Sequence, residues 1–304
     1  DCFEAVFEGL ARMPKPFARS ASSLPSPAAP PPPDPFDPAL LVGPGLLARV
    51  EHLHEIPSTM DVARQLAADA TAVLPLAVVA DLQTRGRGRR GAGWWQPPGS
   101  LAVSLVVEAS RFTTGRPPAT WSLAAGVALA ESIRQLVPGV AAGVRWPNDV
   151  EVSGRKLAGI LVEMAGGGRA IFGIGVNTTG SATEAPAALE HRVATLPDLT
   201  GRSLSRQLLL ADFVPRLFAL MTDMADMADM ADAAADPGLL ATRYQPLCCL
   251  RGRSVTLYVA DQRHSGTCQG IAADGRLIVD TAAGRMLFAS GSLTPPADVW
   301  PGER

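Results

Sequence analysis

Lys156-Leu157-Ala158-Gly159-Ile160-Leu161-Val162-Glu163-Met164-Ala165, then Gly166-Gly167-Gly168, then Arg169-Ala170-Ile171-Phe172-Gly173-Ile174-Gly175-Val176-Asn177 is the stretch that decides the fold. Two apolar runs rich in branched residues read as strands, and three consecutive glycines between them read as a hairpin turn. Ser153-Gly154-Arg155 is a turn that puts Lys156 at the start of the first strand. Glycines inside a strand mark a close approach of backbone or ligand, so Gly159 and Gly175 are candidates for leaving room. A hairpin among helical segments predicts an α+β domain with a mixed sheet, and not a doubly wound one.

Upstream, residues 51–56 read as a short strand leading into Pro57-Ser58-Thr59-Met60-Asp61. Ser58 with Asp61 three places on is a capping-box pattern that predicts a helix to about residue 68. Hydroxyls at such an N-terminus suit a small anion or a carbonyl group. Residues 76–83 read as a strand that delivers Gln83 to a basic loop, and 100–108 as a strand of period two. Residues 121–137 have the apolar spacing of a core helix, and 143–146 form a strand ending in Trp146-Pro147-Asn148-Asp149.

Downstream, residues 203–235 read as helical and contain a Met-Ala-Asp repeat over 224–232. Period three drifts around a 3.6-residue helix, so the repeat is expected to be a solvated extension. Short runs at 254–259, 265–271, 276–280 and 285–288, separated by Asp/Gly turns, predict a small β-barrel. Residues 1–45 include Pro30-Pro31-Pro32-Pro33 and read as a poorly ordered arm with no helix-turn-helix pattern. The expected division is therefore arm 1–45, main domain 46–245 and barrel 246–304.

Among the 304 residues, apolar types make up 47% and the net charge is −2, a globular composition without the basic excess of a general nucleic-acid binder. Cys2, Cys248, Cys249 and Cys268 form no C-x-x-C pair, and the histidines show no metal-ligand spacing beside them. Reduced thiols in a cytoplasmic protein are the expectation, with no membrane span and no signal peptide.

Against that near-neutral background stands Arg85-Gly86-Arg87-Gly88-Arg89-Arg90-Gly91, followed by Ala92-Gly93-Trp94-Trp95. Glycine permits close backbone approach, and arginine offers a planar fork of donors to phosphate or carboxylate oxygens. The run fits a mobile loop that closes over an anion; alone, it fits a solvated basic turn better. Two scarcities decide between them. Only Lys15 and Lys156 are lysine among 27 basic residues, and Asn148 and Asn177 are the only asparagines. A chain so biased keeps a rare residue where its chemistry is hard to replace.

Five blocks in this order resemble the biotin protein ligase family: Ser58-Thr59, Gln83 with the 86–91 loop, Trp146-Pro147-Asn148-Asp149, Gly154-Arg155-Lys156-Leu157-Ala158-Gly159, and Gly173-Ile174-Gly175-Val176-Asn177. The resemblance runs over residues 56–293. It implies a catalytic domain like those of class II aminoacyl-tRNA synthetases and biotin ligases, with a small C-terminal SH3-like β-barrel. It implies ATP-dependent formation of biotinyl-5′-AMP, with Mg2+ arriving on ATP, and transfer of biotin to a lysine of a biotin carboxyl carrier protein. With no DNA-binding module evident, the implied type is a monofunctional ligase that takes no DNA and needs no membrane. A homodimer stays open.

By the same resemblance, Lys156, Arg87 and Arg89 are the catalytic candidates, with Lys156 between carboxylate and α-phosphate. Ser58, Thr59, Gln83, Gly86 and Gly159, with Arg87, Arg89 and Lys156, are the biotin candidates. Arg90, Trp94, Asn148, Asp149 and Asn177, again with Arg89 and Lys156, are those for ATP and adenylate. Trp146 is expected to serve the core. Met60 stands where the family often has asparagine, and Arg85 where it often has a small residue. A lipoate or octanoyl ligase or transferase of the same fold, and a non-catalytic biotin-binding module, are the competing readings.

Overall fold

The three-glycine link turns as its sequence requires. Gly167 and Gly168 take φ of 70° and 72°, in the region that glycine occupies without strain. This computed structural model describes residues 35–112, 118–229 and 238–294. The described residues belong to one compact unit.

In chain order, β1 (Arg49–Ile56), α1 (Thr59–Ala68), β2 (Leu76–Gln83), β3 (Leu101–Glu108) and α2 (Pro118–Leu136) come first. Then follow β4 (Gly143–Arg145), β5 (Asp149–Val152), β6 (Arg155–Ala165), β7 (Arg169–Val176), α3 (Leu196–Thr200), α4 (Arg206–Asp229) and α5 (Leu239–Tyr244). The chain closes with β8 (Ser254–Val259), β9 (Gln262–Ile271), β10 (Leu277–Thr281) and β11 (Gly284–Phe288).

The first seven strands form one mixed sheet in the order β1-β2-β3-β7-β6-β5-β4, with β1 and β2 parallel and the other neighbours antiparallel. The expected α+β architecture is present. Because side chains alternate between faces, each strand sends one set to each side. Ala77, Val79, Val103 and Leu105 join the large core around α2 and α4. Leu76, Val78, Val106 and Ile171 face α1 instead, against Met60, Ala63 and Ala67. This two-sided cover explains a departure from the sequence reading. Strand β3 is buried along nearly its whole length, and does not alternate between wet and dry.

Two further expectations change. Met224, the first residue of the Met-Ala-Asp repeat, lies on α4 and is 3% exposed in the core, while Asp226 is exposed, so the start of the repeat is packed on one side and not wholly solvated. Its residues 230–232 lie outside the described residues. In the Pro-rich arm, residues 1–34 lie outside them too, but the end of the arm packs: Leu41 is fully buried, and the Phe36 ring centroid is 4.8 Å from that of His52. The C-terminal strands form a four-stranded antiparallel sheet, β11-β10-β9-β8. Val255, Leu257, Leu277 and Val279 of that sheet belong to the same core as α2.

Among the described residues no helix is long and apolar enough to cross a membrane, and Cys248, Cys249 and Cys268 are free thiols.

The loop side of the sheet is braced from below by one carboxylate. Asp81 on β2 accepts from Arg206 Nη1 (2.7 Å), His52 Nε2 (2.8 Å) and His54 Nδ1 (3.1 Å). Burial pushes its pKa up, but the bonds from His52, Arg206 and His54 outweigh that and hold it at about 2. A carboxyl whose pKa is lower folded than unfolded stabilises the fold above the unfolded value and stops doing so as pH falls through the folded one. Asp81→Asn should therefore lower the urea midpoint at pH 7 and flatten its fall between pH 4 and pH 2. A pH profile parallel to that of the unsubstituted protein would contradict this.

Candidate active site

On the face of the sheet that α1 covers, toward that helix's first turn, the strands carry small residues: Ser104 on β3, Gly173 and Gly175 on β7, and Gly159 on β6, which pairs with Gly175. Their smallness opens a cleft of about 1030 Å3. Of the sequence candidates, Ser58, Thr59, Gln83, Arg87, Arg89, Arg90, Trp94, Asn148, Asp149, Lys156, Gly159 and Asn177 line it. Gly86 is the exception and sits at the root of the loop.

At one end the cleft is polar and uncharged. Ser104 Oγ donates to Thr59 Oγ1 (2.8 Å), and Thr59 gives both its hydroxyl and its backbone N–H to Gln83 Oε1 (3.0 and 2.8 Å). With that oxygen doubly engaged, Gln83 Nε2 is the group left to donate into the cleft. Ser58 is the extended N-cap of α1, but its side chain makes no cap bond. The capping box therefore does not form. Gln83 supplies the acceptor for the Thr59 N–H, and the Asp61 side chain turns to Arg64 (2.9 Å) and Arg87 (2.6 Å). Ser58 Oγ is buried at the cleft wall without a hydrogen-bond partner among the described residues. Such an atom suits a polar ligand group. Met60 covers Gly173, where a Cβ would come within 2.6 Å of its sulfur.

The Arg/Gly stretch is an ordered hairpin here. Gly88 N–H donates to Ala92 O (2.7 Å) and Trp94 N–H to Gly86 O (2.9 Å), with Arg87 bridged to Gly93. At its tip Arg90 takes the left-handed conformation (φ 55°, ψ 35°), which costs a side chain of this kind about 1 kcal/mol. The hairpin lays the Trp94 indole on the glycine floor. A Cβ at position 175 would come within 2.6 Å of Trp94 Nε1, and one at position 159 within 3.2 Å of Cζ3.

At the other end the cleft is charged. Lys156 Nζ lies 2.7 Å from Asp149 Oδ1 and 5.6 Å from the Trp94 ring centroid. The Lys156 backbone is clamped by Arg192 O and Ala194 N (both 2.8 Å). Arg89 Nη1 donates to Asn148 Oδ1 (3.2 Å), while Asn148 Nδ2 donates to Ile160 O (2.7 Å). Burial first, then the neighbouring Arg90, lowers the Arg89 pKa against the pull of Asp149. Asn177 Nδ2 donates to Ala194 O (2.9 Å), tying down the segment that holds Lys156. Trp146 serves the core as expected, donating Nε1 to Gly275 O (3.1 Å).

Some residues of the site were not singled out from sequence. Ser104 is the lone polar residue of Leu101–Glu108 before its terminal glutamate, which is a readable sign. Glu151 also lines the cleft, 3.4 Å from Arg145 Nη1; burial raises its carboxyl pKa, with Arg145 opposing. Nothing local distinguishes Glu151 in the sequence, and Asp61 reads there only as half of a capping box.

Residues 54–178, which hold nearly all of these groups, match the Biotin/lipoate A/B protein ligase family. The chain carries a biotin/lipoate A/B protein ligase domain. Over 228 residues it is 28% identical to the biotin–[acetyl-CoA-carboxylase] ligase of Mycobacterium tuberculosis, covering 71% of this chain and 77% of that one. Over 210 residues it is 31% identical to the bifunctional ligase/repressor BirA of Salmonella typhimurium, covering 67% of this chain and only 61% of that relative's length. The ligase fold is shared with the biotin protein ligase from Aquifex aeolicus in complex with biotin and ATP: TM-score 0.68 at 23% identity, over 80% of this chain and 97% of that one.

Within this ligase domain the glycine floor makes a direct prediction. Gly175→Ala should push the Trp94 indole off the sheet while the strand itself persists, since the crowded group belongs to a loop. Tryptophan emission should shift with little change in the unfolding midpoint. Unaltered emission would mean that the ring does not rest there in solution.

Proposed function

We propose that this protein is an ATP-dependent biotin–[biotin carboxyl carrier protein] ligase. The observation that carries the reading is the polarity of one cleft. Gln83, Thr59 and Ser58 form a neutral polar pocket at one end, and Lys156, Arg89, Asn148 and Asp149 a charged wall at the other, with Trp94 between them. Biotin has the same division, with a neutral ureido head and a carboxylate tail. The Gln83 amide N–H and the Ser58 hydroxyl are suited to the ureido carbonyl.

In the first step a biotin carboxylate oxygen forms a bond to the α-phosphorus of ATP. The bond from that phosphorus to the α–β bridging oxygen breaks, and pyrophosphate leaves with the electron pair. Two anions must meet, so positioning and charge stabilisation dominate the catalysis. Lys156, a compact ammonium now paired with Asp149, is placed to bridge carboxylate and α-phosphate. Arg89 and Arg90 face the phosphate side, and Arg87 helps fasten the loop through Asp61. Among the described residues no three His, Cys, Asp or Glu side chains form a metal-holding group. Mg2+ is therefore read as arriving on the ATP phosphates, with Asp149 and Glu151 the nearby carboxylates.

In the second step a carrier lysine amine attacks the acyl carbon. A C–N bond forms, the anhydride C–O bond breaks, AMP leaves and the amine loses a proton. The closed Arg/Gly hairpin keeps water from the anhydride until then. We read the C-terminal sheet as the SH3-like barrel of such ligases, packed behind the Asn148–Asp149 corner.

Lipoate or octanoate activation is the second reading, since the matched family includes both chemistries. The polar Ser58–Thr59–Gln83 end disfavours it, because an aliphatic tail offers no partner for those groups. The protein should support biotin-dependent exchange of pyrophosphate into ATP, whereas exchange with lipoate or octanoate alone would reverse the assignment. Lys156→Ala should slow exchange by on the order of 10²-fold or more while the protein stays folded. Arg89→Gly should release free biotinyl-AMP, detected as biotin on bystander lysines.

A further inference from the structure

The antiparallel ladder between β2 and β3 runs from Leu76 opposite Val106 to Ala80 opposite Ala102, and there it stops. Strand β2 continues alone, paired only with β1 as far as Ile56 opposite Gln83. Asp81 and Gln83 therefore leave backbone groups facing a gap on the β3 side, where the Arg/Gly loop departs and returns. One backbone bond, from Gly99 N–H to Asp81 O (3.3 Å), reaches across it, and one side chain fills the rest. Gln96, 7% exposed, donates Nε2 to Asp81 O (3.1 Å) and to Ser100 O (3.0 Å), and its Oε1 accepts the Gln83 N–H (3.1 Å). Its amide has the donors and acceptor of a peptide group and serves as a missing rung.

The rung ties three points together. Ser100 is the last residue of the returning loop, and Asp81 is the residue braced by Arg206 and the two histidines. Gln83 projects its own amide into the polar end of the cleft. Trp94 lies two residues before Gln96, so the same clasp sets where the indole meets the glycine floor.

We propose that Gln96 is a positioning residue of this cleft. It fixes the Gln83 backbone and fastens the returning end of the Arg/Gly hairpin, so that Gln83 and Trp94 hold one geometry around the ligand. The inference rests on the biotin-ligase reading for its kinetic consequences and on the hydrogen bonds alone for its structural ones.

Gln96→Glu keeps the length but replaces the two N–H donors with one carboxylate oxygen facing the Asp81 and Ser100 carbonyls. Gln96→Met keeps the bulk and removes all three bonds, and Gln96→Asn keeps the amide on a shorter stem. The Glu and Met variants should raise the biotin KM in pyrophosphate exchange by on the order of tenfold or more. They should also increase the share of biotinyl-AMP lost to solvent, with Asn intermediate on both measures. Independently of function, trypsin should cut the loop arginines faster in the Glu and Met variants than in the unsubstituted protein.

Wild-type biotin KM, adenylate loss and trypsin rate in both variants would overturn the positioning role. So would losses in kcat alone that track a fall in unfolding midpoint, or failure of both variants to unfold cooperatively, since Gln96 would then serve only the fold. Absence of biotin-dependent exchange in the unsubstituted protein would overturn the ligase reading instead. In that case the trypsin rates still decide the fate of the clasp.

Discussion

Two paired strands can receive a flat aromatic ring only where neither presents a side chain, and Gly159 opposite Gly175 makes such a place. The Trp94 indole rests there, brought by a hairpin whose own root needs glycine at position 86, where a Cβ would lie 2.8 Å from Trp94 O. The rest of the cleft depends on this contact. It brings the basic loop over the sheet, sets Lys156 beside the ring, and leaves Gln83 at one end and the Asn148–Asp149 pair at the other. A methyl group at either floor position would alter all of these together.

Three of the loop and wall cations already have a partner on the rest of the fold. Arg87 meets Asp61, Arg89 meets Asn148 and Lys156 meets Asp149. These contacts are partly exposed, so each stabilises the fold only modestly. Their value lies in orientation: the donors point into the cleft before any anion arrives. A ligand then exchanges one set of partners for another and meets groups that need little reorganisation.

The sheet was legible in the sequence because its strands are apolar and punctuated by glycine and proline. The hairpin at residues 166–168, set among helical segments, pointed away from a doubly wound sheet. Period-two reasoning failed at β3, since a strand covered by α1 on one face and α2 with α4 on the other has no wet side. The site was legible where rarity marked it, as at Lys156, Asn148 and Asn177. It was not legible where ordinary residues act through long-range geometry. Ser58 and Asp61 have the spacing of a capping box, but the Asp61 carboxylate pairs with Arg64 and Arg87 instead, and Gln83, 24 residues beyond Thr59, takes the first helical N–H. Met224 likewise belongs to a repeat with no single apolar face, yet the bundle around α2 takes it in.

Trp146 and Arg145 bear on how far this protein can be divided. They immediately precede Pro147 and the Asn148–Asp149 pair, and they bond to Gly275 O and Leu293 O, far along in the C-terminal segment. The core runs unbroken from α2 into β8 and β10. The matched segment is therefore not an interchangeable cassette. Cut away from the C-terminal sheet, it would strand an indole N–H and a guanidinium in the corner that must stay rigid. In a chimera, sequence change in β9, β10 or β11 would be felt at the Asn148–Asp149 end of the cleft without altering a residue that lines it.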